Sequence, residues 1–174
     1  MTRLVVSIDP GVANLGVAGL SMNEDYTIIK LEFKKTFAVD DSHRKLDPEI
    51  LFTVIEEEID SLVTAMERRV KGIETLWVLE YQPPLNTRSN PGLVRNNTFV
   101  EAFIHSWLVS NGRKLKVVAP SSVKKRFNFP VKSRSQYQSN KQFSIKIAKT
   151  LVGEASLSDH IADCILNGLY AVGY

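Results

Sequence analysis

Apolar residues along this chain follow two rhythms. Leu4-Val5-Val6-Ser7-Ile8 is a short run with both faces apolar, the pattern of a central strand buried on both sides. Asp9 ends the run and Pro10-Gly11 breaks it. Gly16 to Leu20 is apolar again, so the chain is expected to double back as a hairpin around the loop Gly11 to Asn14. Tyr26 to Val39 reads as a third strand, on Ile28, Ile29, Leu31, Phe33 and Phe37. Thr75 to Leu79 is a fourth, wholly apolar one, ending in Glu80 and then the breaker Pro83-Pro84. Leu115 to Ala119 is a fifth.

The other rhythm has helical spacing. Ile50, Leu51, Val54, Ile55, Ile59, Leu62, Val63, Met66 and Val70 recur at three- and four-residue steps, which predicts a helix with one face on the sheet. Asp47-Pro48 supplies its N-cap and first position. It runs to about Lys71, with Glu56, Glu57, Glu58 and Asp60 as its solvated face. A second helix is predicted from Asn90-Pro91 to Ser110, with Phe99, Val100, Phe103, Ile104, Trp107 and Leu108 on its apolar side. A short one starts at Val123 after Pro120-Ser121-Ser122. Asn140 to Leu151 forms a basic helix. Ser156-x-x-Asp159 has capping-box spacing, and the last helix runs to about Val172. With the short helix at Val123 left out, the order β-β-β-α-β-α-β-α-α describes an α/β protein, with no internal repeat and no second domain in residues 1–174.

At 174 residues and 44% apolar content the chain can bury a sizeable core. No stretch approaches the roughly 20 apolar residues of a membrane span, and the N-terminus lacks the order of a signal peptide. The single cysteine, Cys164, has no internal disulfide partner, which points to an intracellular protein. It lies in an apolar helical pattern and reads as a small buried hydrophobe.

The net charge of +3 conceals a strong asymmetry. From Ala102 to Gly153 there is no acid at all, against eleven bases: Arg113, Lys114, Lys116, Lys124, Lys125, Arg126, Lys132, Arg134, Lys141, Lys146 and Lys149. The rest of the chain carries the other eleven bases against all 19 acids, a net of −8. A solvated face usually mixes both signs; one long cationic stretch points to a polyanion such as nucleic acid. Tyr137 interleaves with Lys132 and Arg134 in a polar loop, and Arg88 and Arg95 stand in the polar segment after Glu80.

Two buried strands each deliver one carboxylate and then break. Asp9 could simply cap its Pro-Gly turn. An acid at the end of a core strand is costly, however, unless it is solvated, paired or metal-bound. The last helix adds Ser158-Asp159-His160-Ile161-Ala162-Asp163, where His160 and Asp163, or Asp159 and Asp163, can share a face. Asp159 has capping as an alternative role and His160 could be a surface residue, whereas Asp163 lies mid-helix among apolar residues. Asp9, Glu80 and Asp163 together can enclose hard cations such as Mg²⁺ or Mn²⁺. Such ions activate water and stabilise the leaving oxygen of a phosphodiester.

Ser7-Ile8-Asp9-Pro10-Gly11, Val78-Leu79-Glu80-Tyr81-Gln82-Pro83-Pro84 and Asp159-His160-Ile161-Ala162-Asp163, in this order, resemble the motifs of the RuvC-like Holliday-junction resolvases. The segment Glu80-Tyr81-Gln82-Pro83 is closer to the resolvases of poxviruses and other large DNA viruses and of fungal mitochondria. The resemblance covers the whole chain in element order. It implies an RNase H-like fold, with a mixed central sheet flanked by helices, and a homodimer that cuts four-way DNA junctions with a divalent metal. It maps Asp9, Glu80 and Asp163 onto the metal-binding acids. It maps His160 onto a fourth position that varies between Asp and His, with Asp159 one residue away as the alternative. By resemblance Lys141 would act near the scissile phosphate and Tyr81 would be the aromatic after the strand-borne acid. Arg88, Arg95, Lys124, Lys125, Arg126, Lys132, Arg134, Lys141 and Lys146 would contact DNA. The competing readings are an RNase H-like enzyme that cuts RNA–DNA hybrids, a non-catalytic nucleic-acid-binding module, and an actin-like phosphate-binding domain. The last is suggested by Asp9-Pro10-Gly11 followed by Gly16, but the chain is short for its usual two lobes.

Overall fold

The computed structural model describes residues 3–40, 45–70, 72–82, 91–130 and 137–174. Five strands form one mixed sheet: β1 (Arg3–Pro10), β2 (Leu15–Met22), β3 (Ile29–Phe37), β4 (Glu74–Glu80) and β5 (Leu115–Val118), in the order β3-β2-β1-β4-β5. β2 runs antiparallel to both of its neighbours, β1 and β3, while β4 lies parallel to β1 and β5 parallel to β4. The central strand β1 is buried almost throughout, as its unbroken apolar run requires.

Alternation along each strand divides the sheet into two faces. Leu4, Val6, Ile8, Leu15, Val17, Trp77 and Leu79 pack on one side. Their partners are α1 (Pro48–Thr53), α2 (Ser61–Arg69) and α3 (Pro91–Ser110). Val5, Ala18, Leu20, Met22, Val78 and Val118 pack on the other side. There they meet α4 (Pro120–Arg126), α5 (Tyr137–Val152) and α6 (Asp159–Val172). Cys164 is fully buried in this second layer, and burial raises its thiol pKa well above the usual value.

Several boundaries differ from the sequence reading. The third strand starts at Ile29, because Tyr26 sits in a turn with φ of 58°. Its hydroxyl donates to the Val172 carbonyl at 2.7 Å, and its ring meets Tyr174 edge-on. The expected helix from Asp47 is capped by the Asp47 carboxylate, which accepts from Glu49 and Ile50 N–H. Its middle, Val54–Asp60, is wound as a π-helix between α1 and α2. Asp60 is not simply solvated: it is half-buried and paired with Arg113, whose guanidinium also lies over the Trp77 ring. The final helix is capped by Ser158, whose Oγ accepts from Ile161 N–H. Asp159 is therefore its first residue and not the acid of a capping box opened by Ser156. Among the described residues no helix is long and apolar enough to cross a membrane.

Candidate active site

The site is built where β1 and β4 lie side by side in parallel. The pairing of Ile8 with Leu79 brings Asp9 and Glu80 level at the carboxyl ends of neighbouring strands, which stand about 4.8 Å apart. From β1 the chain goes to β2 on one side, and from β4 to β5 on the other. Open α/β sheets bind ligands at such a reversal, beyond the carboxyl ends of the strands.

Helix α6 supplies the remaining groups and lies very close to the sheet. A Cβ on Gly16 would sit 3.1 Å from His160 Cβ, and one on Gly168 would sit 3.3 Å from Leu20 Cδ1 and Val5 Cγ1. Two glycines, one on the strand and one on the helix, thus permit the approach. His160 reaches Asp9, with Nδ1 2.9 Å from Asp9 Oδ2. That hydrogen bond is the largest influence on the imidazole and raises its pKa; the charges of Asp9 and Asp159 add to it, against burial and Lys141.

Each acid has its own protein partner. Glu80 Oε2 accepts from Asn167 Nδ2 at 2.7 Å, and Asp163 Oδ1 accepts from Ser144 Oγ at 2.5 Å. Burial pushes the Glu80 carboxyl up to about 8; the charges of Asp9 and Asp163 raise it further, against the Asn167 hydrogen bond and the Lys124 charge. Burial likewise pushes Asp163 up to about 6, with Asp9 and Asp159 adding and Ser144 and Lys124 opposing. The acids thus share one electrostatic neighbourhood. A small cavity of about 50 Å³ opens between Glu80 and Asp163, and Lys124, Phe129 and Asn167 also line it.

As the side chains stand, no three His, Cys, Asp or Glu residues among those described are grouped closely enough to hold a metal ion. The donor set nevertheless suits a hard divalent cation, which takes carboxylate oxygens. The mutual pressure among Asp9, Glu80 and Asp163 is the charge excess such a cation would relieve.

The cationic stretch separates into groups with different employment. Arg113 pairs with Asp60 and Glu67, Lys114 with Glu74, and Lys116 donates to the Ala171 carbonyl at 2.6 Å. Arg126 donates from Nε to the Tyr174 carbonyl at 2.6 Å. Lys141 pairs with Asp159, at the edge of the site. That bond and the nearby charges of His160 and Lys141 lower the Asp159 pKa, although burial works in the opposite direction. It is Lys124 whose charge acts on both Glu80 and Asp163. Lys125 and Lys146 are exposed, as are Arg95 on α3 and the Tyr81 side chain beside Glu80. Arg88, Lys132 and Arg134, like Pro83 and Pro84, lie outside the described residues.

Sequence reasoning missed Ser144 and Asn167. Both are fully buried polar side chains, and each is bonded to one of the acids. A signal existed for Asn167, a lone amide in the apolar run Cys164-Ile165-Leu166-Asn167-Gly168-Leu169, four residues after Asp163. Ser144, on the basic helix, carried none.

No protein-family model matches the chain, and no curated protein does. Solved structures match over nearly its whole length. Thermus thermophilus RuvC, in complex with a Holliday junction substrate, superposes with a TM-score of 0.63 at 17% identity, covering 96% of this chain and 90% of that one. The yeast mitochondrial Holliday junction resolvase gives 0.59 at 12% identity, over 98% and 79% of the two chains. The fowlpox virus resolvase, with its substrate Holliday junction DNA, gives 0.54 at 16% identity, over 98% and 97%. The fold is RuvC-like. This RuvC-like, RNase H-like sheet, with its flanking helices, is the architecture that the three sequence motifs implied.

Proposed function

We propose that this protein is a structure-selective, divalent-metal-dependent endonuclease that resolves four-way DNA junctions. The observation that carries the reading is the convergence of three acids from three separate elements: Asp9 on β1, Glu80 on β4 and Asp163 on α6 share one neighbourhood beside Lys124. The RuvC-like fold supports it, since the similar proteins are junction resolvases and two of them are seen with junction DNA.

Asp9, Glu80 and Asp163 would hold one or two Mg²⁺, or Mn²⁺ in its place, with His160 as the fourth ligand and Asp159 as the alternative. When bound, such ions activate a water nucleophile and stabilise the leaving oxygen of a phosphodiester. The protein's own groups do the rest. Lys124 brings positive charge to the cavity between Glu80 and Asp163, where a phosphate would have to enter. Lys141, held against Asp159, can turn to a phosphate nearby. Lys125, Arg126, Lys146 and Arg95, with Arg88, Lys132 and Arg134, would contact the DNA backbone, which positions the substrate without reading its bases. Tyr81, exposed beside Glu80, can stack on an unpaired base at the branch point.

Two opposed strands of a junction must be cut, which calls for two sites related by a two-fold axis. One chain supplies one site, so the working enzyme would be a homodimer. Helix α3 is the favoured interface: Phe103 and Trp107 lean partly on the core, while Phe99 is 46% exposed. The test is a gel assay of a synthetic four-way junction against linear duplex and RNA–DNA hybrid, with Mg²⁺ or EDTA. Paired nicks in the junction, only with metal, are expected. Preferential cutting of the hybrid would favour a different RNase H-like enzyme, and binding without cleavage at any Mg²⁺ or Mn²⁺ level would favour a binding module.

A further inference from the structure

Asn167 stands one helical turn beyond Asp163 and two beyond His160 on α6. It is 1% exposed, and its neighbours Ile165, Leu166, Gly168 and Leu169 are buried too. An amide in such surroundings is costly unless bonded, and a Leu or Ala would fill the helix position without that cost. Its Nδ2 donates to Glu80 Oε2 at 2.7 Å. That carboxylate comes from β4, so the bond ties the strand-borne acid to the helix that carries Asp163 and His160. The tie lies where helix and sheet pack closely: a Cβ on the adjoining Gly168 would sit 3.3 Å from Leu20 Cδ1 and Val5 Cγ1 and 3.5 Å from Ser7 Cβ. Glu80 also lines the cavity that Asp163, Lys124 and Asn167 share.

We infer that Asn167 is a positioning residue for Glu80, holding its carboxylate in one orientation towards Asp163 for the divalent cation of this site. The inference rests on the metal-dependent reading above. Groups that orient metal ligands from behind typically change metal affinity by roughly ten- to a hundred-fold when removed. An amide that merely satisfied a buried acid would alter folding and leave the metal alone.

The test is Mn²⁺ binding without DNA, read as free Mn²⁺ by electron paramagnetic resonance, with the metal-free melting temperature alongside. Asn167→Leu keeps the branched shape and the number of side-chain heavy atoms and removes the donor. Asn167→Ser is smaller and keeps a hydroxyl that does not reach Glu80. Both are expected to melt as cooperatively as the wild type and to bind Mn²⁺ roughly ten-fold more weakly. In a Glu80→Gln background, adding Asn167→Leu should change Mn²⁺ affinity by less than about two-fold, because the two residues act as one unit. Folded variants with wild-type Mn²⁺ affinity would overturn the inference, as would an equal loss with and without the Glu80 carboxylate. Loss of folding in both variants would assign Asn167 to the core instead and also overturn it. A wild type that takes up no Mn²⁺ would refute the metal reading itself, a distinct result.

Discussion

Ile8 and Asp9 are neighbours on β1, as Leu79 and Glu80 are on β4, yet the members of each pair face opposite sides of the sheet. Ile8 and Leu79 join a layer with Leu51, Ile55, Val63, Ile104 and Leu108, where apolar groups meet apolar groups. Asp9 and Glu80 enter the layer under α6, where burial and like charge raise the Glu80 and Asp163 pKa values. One side of the sheet gains stability through burial at about 25 cal/mol per Å² of apolar surface. The other side gives part of that gain up to hold acids close together, and the candidate chemistry lies there.

The largest effect expected from breaking this contrast is on cleavage. Asp9→Asn or Asp163→Asn should lower the rate by roughly two to three orders of magnitude or more, while junction binding in EDTA or Ca²⁺ survives. Near-normal turnover at saturating Mg²⁺ by either variant would remove that residue from the proposed site.

Stability against pH sharpens the contrast next. The Glu80 carboxyl is raised from an ordinary 4.5 to about 8, and Asp163 from 3.8 to about 6. The folded protein therefore binds more protons than the unfolded chain between those values. The stability from this source is fully present below the ordinary values and is lost as pH rises through about 6 and then about 8. In EDTA the melting temperature should fall by several degrees between pH 5 and pH 8.5, and Glu80→Gln should flatten most of the decline. A profile identical in wild type and Glu80→Gln would contradict the environment assigned to Glu80.

A smaller effect is expected from the cationic surface. Charge reversal of Lys124 and Lys125 should weaken junction binding and flatten the dependence of log K on log salt, by about 0.9 for each phosphate no longer neutralised. Reversal of Lys114, which pairs with Glu74 at the other end of the sheet, should leave that slope unchanged. Equal slopes for both variants and the wild type would dissociate Lys124 and Lys125 from the DNA surface.

The smallest effect concerns Ser7, on the same face of β1 as Asp9. Its hydroxyl is buried without a hydrogen-bond partner, a state that costs about 1 kcal/mol or more. Ser7→Ala should raise stability in urea unfolding by up to about 1 kcal/mol; a loss of stability would mean that the hydroxyl is bonded.

The elements were legible in the sequence because period and punctuation agree there. The unbroken run Leu4 to Ile8 is a doubly buried strand, Asp47-Pro48 caps a helix, and Pro91 opens α3. Legibility failed where a residue's surroundings come from distant chain. Tyr26 has a strand-forming side chain, but its hydroxyl is drawn to Val172, 146 residues on, and its backbone turns. Asp60 looks solvated until Arg113 arrives from beside β5. The three acids could be picked out because each interrupts an apolar pattern. Which lysine faces them could not, because Lys124 and Lys141 are both ordinary bases in the sequence and only packing puts Lys124 on the cavity between Glu80 and Asp163. Ser144 and Asn167 acquire meaning only opposite Asp163 and Glu80.

Two adjacent residues on β4 separate the two faces most sharply: Leu79→Ala and Glu80→Gln, each measured for junction cleavage per folded molecule and for metal-free melting. Leu79→Ala should lose about 2–5 kcal/mol of stability and cut at a near-normal rate where it is folded. Glu80→Gln should melt at or above the wild-type temperature and cut nothing. A Glu80→Gln protein that cuts normally, or a folded Leu79→Ala protein that cannot cut, would contradict the division of the sheet into a supporting face and a reacting one.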